Sequence, residues 1–250
     1  MKSILSLVSV QKITDADIQQ IKSLGIESIA LSPSHFGEPQ SDGSILIRFP
    51  RDGFSLSQIP LGAHSMQGVF FGIDPWSSNL EELLRNRFIS LQKICSLSNI
   101  NRIVIGAPSF RMSQNIWKLV LDQACAWTAK TRVAVAVENI CQSFEDPLHG
   151  TFGSAIDLPH SFEFVLDVSN AMDCPIHKNP EWLSNQTVSL MHISGKGHGP
   201  ISSTEEFLEI SDFLGGFQES MEYVWEFNYP NINDLLIAFK TSCQFMDTTL

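Results

Sequence analysis

VAVAVEN (Val133–Asn139), FEFVLDV (Phe162–Val168), SLMHIS (Ser189–Ser194) and YVWEFN (Tyr223–Asn228) are four short apolar runs, each carrying a ligand-type residue near its end. Those residues are Glu138, Asp167, His192 and Glu226. Runs this apolar read as strands buried on both faces, as parallel strands covered by helices must be. Successive ligands are spaced by about 30 residues, the length of one strand-plus-helix unit. A chain that returns four times to one mouth, each time leaving a hard oxygen or nitrogen ligand, is expected to build a metal site there.

Working outward, the same alternation runs through the rest of the chain. Ile4–Val10 reads as a first strand, and Thr14-Asp-Ala-Asp opens a helix that Gly25 stops. Ser28–Ser32 is the second strand, ended by Pro33, and Leu61–Met66 the third. Ser77–Leu97 places Leu80, Leu83, Leu84, Phe88, Leu91 and Ile94 at helical spacing. Arg102–Ala107 is the fourth strand, Gln114–Lys130 a helix, and Arg132–Glu138 the fifth strand. Phe162–Asp167, Ser189–Ser194 and Tyr223–Phe227 complete eight, with helices at Thr204–Leu214 and Asn231–Phe245. Residues 34–59 lack helical periodicity; SILIRFP after the Ser41-Asp-Gly-Ser turn predicts an extra strand or hairpin arm.

Eight such units predict an α/β fold, a (β/α)8 TIM barrel with a reduced or irregular second helix, spanning 1–250 as a single domain. An open doubly wound sheet is the alternative. It calls for a glycine-rich phosphate turn after the first strand, and SVQKITDAD offers none.

Composition bounds the function. With 43% hydrophobic and 17% charged residues, the chain supports a sizeable core and is unlike a disordered one. A net charge of −11 opposes binding to nucleic acid or an anionic membrane. The five cysteines form no C-x-x-C pair, so reduced thiols and a cytoplasmic location are expected. MKSILSLVSV reads as a strand rather than a targeting segment, and no apolar run reaches membrane-spanning length.

A carboxylate at one strand end is often merely solvated, and a lone histidine is often a satisfied core group. Four at the same end of consecutive strands argue for a shared site. Three carboxylates and one imidazole make a mostly hard donor set, suited to Mn²⁺, Mg²⁺, Co²⁺, Fe²⁺ or Zn²⁺.

With VAVAVENI, FEFVLDVSN, LMHISGKGHG and VWEFN in that order, the chain resembles the xylose-isomerase-like TIM barrels from Ile4 to about Phe245. That group includes sugar isomerases and epimerases, inosose dehydratases and endonuclease IV-type repair enzymes. The resemblance implies that Glu138, Asp167, His192 and Glu226 bind one divalent metal. It implies that Glu138 and Glu226 also serve as the acid/base pair on opposite faces of a small sugar, ketose or polyol. It further implies substrate contacts from His64 at the third strand and from Asn170, Lys196 and His198 near the mouth. Association into homo-oligomers through the outer helices is common in such barrels.

Two positions depart from the pattern. Asn170 stands where relatives often have His, and Ser194 where they often have Asp. Asn donates a hydrogen bond but carries no proton. Trp76, Trp225 and Phe71 are candidate walls for a sugar pocket, and Arg111 a candidate anion contact. The expected function is metal-dependent isomerisation or epimerisation by proton abstraction next to a polarised carbonyl. The alternatives are dehydration of a related polyol or sugar acid, and a non-catalytic accessory barrel. A multi-metal DNA-repair site is disfavoured by Asn170, by Ala107 at the fourth strand end and by the net charge.

Overall fold

Strands β1 (Ser3–Ser6), β2 (Ser28–Leu31), β5 (Gly62–Gln67), β6 (Arg102–Ile105), β7 (Ala134–Glu138), β8 (Glu163–Asp167), β9 (Val188–Ile193) and β10 (Glu222–Trp225) close into one parallel barrel in a computed structural model. The order β1-β10-β9-β8-β7-β6-β5-β2 joins the first strand to the last (Ile4 pairs with Val224), so no edge strand is left open. The structure describes residues 3–48, 62–106, 114–139, 161–173, 188–214 and 221–247.

Helices cover the barrel: α1 (Asp15–Ser23), α2 (Leu80–Ser98), α3 (Gln114–Thr128), the short α4 (Val168–Asp173), α5 (Thr204–Leu214) and α6 (Ile232–Asp247). Thr14 and Asp17 start α1 with a capping box: Asp17 N–H donates to Thr14 Oγ1 at 3.3 Å, and Thr14 N–H donates to Asp17 Oδ2 at 2.8 Å. The apolar stripe read from the sequence of α2 is the face the structure buries. Phe88 on that face meets Trp127 of α3, with ring centroids 5.6 Å apart.

The second unit is irregular, as expected. Where a helix would follow β2, a 3-10 turn (Pro33–His35) leads into an antiparallel hairpin of β3 (Gly37–Pro39) and β4 (Ile45–Ile47). The hairpin lies against α2 so closely that a Cβ on Gly43 would come 2.3 Å from the Leu83 carbonyl oxygen, and Gly43 has φ +82°. Arg87, on the buried face of α2, fastens this region. Its guanidinium donates to the carbonyls of Gly43 at 3.0 Å, Val69 at 2.7 Å and Phe71 at 2.5 Å. The side chain is completely buried, and burial lowers its pKa to about 10.

Inside the barrel the inward residues stack in layers. Ile4, Ala30, Val104, Ala136, Val165, Leu190 and Val224 pack as one apolar cluster, a residue from each strand but β5. Ser65 takes the β5 place, paired to Ala30. Near the N-terminal end, Arg102 bridges Glu163 (2.7 Å) and Glu222 (2.9 Å). Toward the C-terminal end, the inward positions two residues on from Ala136, Val165, Leu190 and Val224 are Glu138, Asp167, His192 and Glu226. The strand pattern that builds the core therefore also aims all four at one point.

Candidate metal centre

Each of the four ligands sits within one residue of the end of its strand, where the inward repeat of two meets the barrel mouth. One donor atom from each of Glu138, Asp167, His192 and Glu226 lies within 4.8 Å of the other three. Asp167 and His192 are buried, at 1% exposure each, while Glu138 and Glu226 are partly exposed. His192 Nδ1 is the focus: Glu138 Oε1 lies 2.8 Å from it and Glu226 Oε2 2.5 Å.

These contacts set the electrostatics. Burial works against a charged His192, but the Glu226 and Glu138 carboxylates outweigh it and raise the imidazole well above its ordinary range. Burial also pushes Asp167 well above the usual carboxylate range, and the charges of Glu138 and Glu226 add to this. For Glu226 burial acts upward, yet His192 brings the net shift down. Like charges crowded in a dry site are costly unless a cation offsets them.

The residues fit a divalent cation on two independent grounds. The donor set is hard, and Asp167 Oδ2 and Glu226 Oε2 are buried carboxylate oxygens without an aligned hydrogen-bond donor. Glu226 Oε2 touches His192 Nδ1, but that ring nitrogen has one hydrogen, and Glu138 is its hydrogen-bond partner. Native proteins seldom leave buried carboxylate oxygens unmatched, and a metal ion would supply the missing partner.

Two neighbours that the sequence reading passed over hold the ligands in place. Asn139 donates to the Asp167 carbonyl at 3.1 Å and accepts from its N–H at 2.5 Å. Its position directly after Glu138 was the available signal. Gln67, the last residue of β5, is buried, with its carboxamide nitrogen 3.3 Å from His192 Nε2.

The expected substrate contacts divide. His198 lies at the site: its Nδ1 is 3.7 Å from Asp167 Oδ2 and 3.4 Å from Ser194 Oγ. Its φ of +57° places a non-glycine residue in the left-handed region, a strained conformation of the kind that gathers at functional sites. Asn170 is also adjacent, but its visible bonds serve the protein. Its N–H donates to Asp167 Oδ1 at 2.7 Å and its amide to the Asn139 carbonyl at 3.3 Å. Lys196 is exposed at the rim of a cavity of about 410 Å³ shared with Ser169, Ser194, Glu206 and Glu209, and its backbone N–H donates to Glu206 Oε1 at 2.8 Å.

The polar contacts of His64 lie elsewhere. Ile29 pairs with Ala63 and the next residue, Ala30, pairs with Ser65, so His64 is the extra residue of a β-bulge. Its ring lies 3.3 Å from Glu222 Oε2 and 2.9 Å from Arg102 Nη1, in the ion cluster near the N-terminal end. Trp225 is buried in the core against Phe227 and Phe239, with ring centroids 6.1 and 5.7 Å away. Trp76 is exposed, Phe71 lines a separate cavity of about 470 Å³ beside Val10 and Gly68, and Arg111 lies outside the described residues.

No known protein-family profile matches this sequence, and no curated protein is significantly similar to it. Solved structures do match, and they are consistently xylose-isomerase-like TIM barrels. A sugar phosphate isomerase/epimerase from Parabacteroides distasonis is 13% identical, with a TM-score of 0.62 over 99% of this chain and 94% of its own. The "probable 3-DHS dehydratase AsbF involved in the petrobactin synthesis" from Bacillus anthracis is 16% identical, with a TM-score of 0.62 over 96% of this chain and 98% of its own. Endonuclease IV from Thermus thermophilus is 13% identical, with a TM-score of 0.60 over the whole of both chains. The fold is thus that of the xylose-isomerase-like TIM barrels. At these identities the likeness establishes the fold alone, and the three chemistries named show that this fold does not select one.

Proposed function

We propose that this protein is a divalent-metal-dependent isomerase or epimerase acting on a small sugar, ketose or polyol. The observation that carries the reading is the convergence of Glu138, Asp167, His192 and Glu226 at the barrel mouth, with donor atoms within 4.8 Å of one another. Glu138, Asp167, His192 and Glu226 would hold one cation. When bound, the cation polarises a substrate carbonyl and the adjoining hydroxyl, which acidifies the C–H between them.

The protein's own residues then move the proton. Glu138 and Glu226 come from strands on either side of β8 and β9, and both are partly exposed while Asp167 and His192 are buried. One carboxylate takes the proton from carbon, and the other returns a proton to the opposite face or to the neighbouring oxygen. His198 and Asn170 stand next to Asp167, in reach of hydroxyls on a substrate that enters the mouth. Lys196 extends this rim into the serine-lined cavity.

The test is carbon–hydrogen exchange in deuterated water, with the Mn²⁺-loaded protein and a panel of ketoses, aldoses and inositols. Exchange at a carbon next to a carbonyl is expected for at least one compound, and is expected to be lost in Glu138→Gln and Glu226→Gln. No exchange across the panel by protein with metal bound would remove the proton-transfer reading.

A further inference from the structure

We infer that Gln67 is a positioning residue for the metal centre: its carboxamide oxygen accepts the Nε2–H of His192 and thereby reserves Nδ1 for the cation. This rests on the metal reading above. Three observations carry it. Glu138 and Glu226 both converge on Nδ1, so the cation-binding side of the ring is Nδ1. Nε2, on the far side of the ring, has the Gln67 carboxamide as its hydrogen-bonding neighbour, at 3.3 Å. Gln67 is itself buried, at 6% exposure, so little solvent competes for that bond.

The local sequence explains how a glutamine comes to face inward there. The bulge at His64 moves the alternation of β5 by one residue, so Ser65 pairs with Ala30 and Gln67 with Val104, both inward positions of the apolar layer. Without the extra residue, Gln67 would face the helices.

The chemistry selects the end of the carboxamide. A neutral imidazole that binds a metal through one nitrogen carries its proton on the other. Nε2 is then a donor, and it needs an acceptor. The carboxamide nitrogen is a donor as well, and it also bonds Glu226, so the Nε2–H bond forms with the amide turned by half a rotation, oxygen toward the ring, in exchange for the Glu226 contact. Partners of this kind fix ring orientation and tautomer in metal sites, and their removal typically costs about 10- to 100-fold in metal affinity.

The experiment uses the whole chain and Zn²⁺, which is diamagnetic. Titration calorimetry compares the wild type with Gln67→Leu and Gln67→Glu, and ¹⁵N-imidazole spectra of the loaded proteins locate the His192 proton. In the wild type, Nε2 is expected to be protonated with a slowly exchanging hydrogen. Gln67→Leu is expected to weaken Zn²⁺ binding by about 10- to 100-fold and to expose that hydrogen to exchange. Gln67→Glu, which keeps an acceptor, is expected to retain the slow Nε2–H and guards against a Leu variant that merely fails to fold. Zn²⁺ on Nε2, or an affinity for Gln67→Leu within about twofold of wild type where the expected loss is about 10-fold or more, would overturn the role of Gln67 alone. A wild type that takes up no Zn²⁺ would overturn the metal reading and this inference together.

Discussion

Asn139 reads the backbone of Asp167 at both ends, donating its amide to the carbonyl at 3.1 Å and accepting the N–H at 2.5 Å. One side chain just past the end of β7 thus acts as an extra rung of the ladder to β8, just where Glu138 and Asp167 turn inward. Asn139→Ala is expected to leave both Asp167 backbone groups without a partner. The expected cost is about 1–3 kcal/mol in stability, with about 10- to 100-fold weaker metal binding. Urea unfolding and metal titration of the same variant check both.

Arg87 gives a prediction of a different kind. It is fully buried and its hydrogen bonds run to three backbone carbonyls, so it ties the β3–β4 hairpin and the turn after β5 to α2. Arg87→Met keeps much of the volume but leaves three carbonyls unmatched. A loss of about 3–5 kcal/mol is expected, read as a fall in the thermal midpoint. Arg87→Lys, a compact charge without the planar fork, is expected to recover only part of it.

The sequence disclosed the barrel because most strands are apolar runs, and the last four carry a polar residue at their ends. Doubly covered parallel strands have no other way to end at a wet mouth. Glu138, Asp167, His192 and Glu226 were legible for the same reason. Arg87 was not, because helical periodicity marks apolar residues as the buried face and offers no sign that an arginine lies among them. The setting of His64 was hidden because a bulge is not written in composition. GAHSM looks like an ordinary strand end, and only the pairing to β2 shows the extra residue. Gln67 was lost by the same shift, since without the bulge its place in the alternation points outward. His35 likewise gave no signal of its role, holding Val10 O at 2.8 Å from Nε2 while Nδ1 accepts from the Ser32 N–H.

The ion cluster near the other end of the barrel predicts an acid dependence. Burial acts to raise Glu222, but Arg102 and His64 lower it on balance. A carboxylate whose folded pKa is depressed contributes stability that is present above its unfolded value, about 4.3, and is lost as pH falls through the folded value. Arg102→Met removes the main partner of Glu222 and Glu163. It is expected to cost about 1–3 kcal/mol at pH 7 and less as pH falls through the depressed folded value of Glu222. Thermal midpoints across that range check the convergence.

At the metal centre the sign is reversed for His192. Its raised pKa means that the metal-free protein gains from the imidazolium fully below about pH 6.5 and loses that contribution as pH rises through the folded value. A cation must displace this proton. Metal affinity is therefore expected to keep rising with pH above the ordinary imidazole range, with protons released on binding. Calorimetry in buffers of different ionisation enthalpy counts them. An affinity flat between about pH 6 and 9 would mean that the cation does not use His192.

The most direct measurement is the metal stoichiometry of the purified protein after loading with Mn²⁺ and removal of excess ion, compared with Asp167→Asn and His192→Ala. The structure predicts about one ion per chain in the wild type and a loss of tight binding in both variants, because each removes one of the convergent ligands. A folded wild type that retains no divalent ion, or variants that retain it as well as the wild type, would contradict a metal centre at the mouth of this barrel.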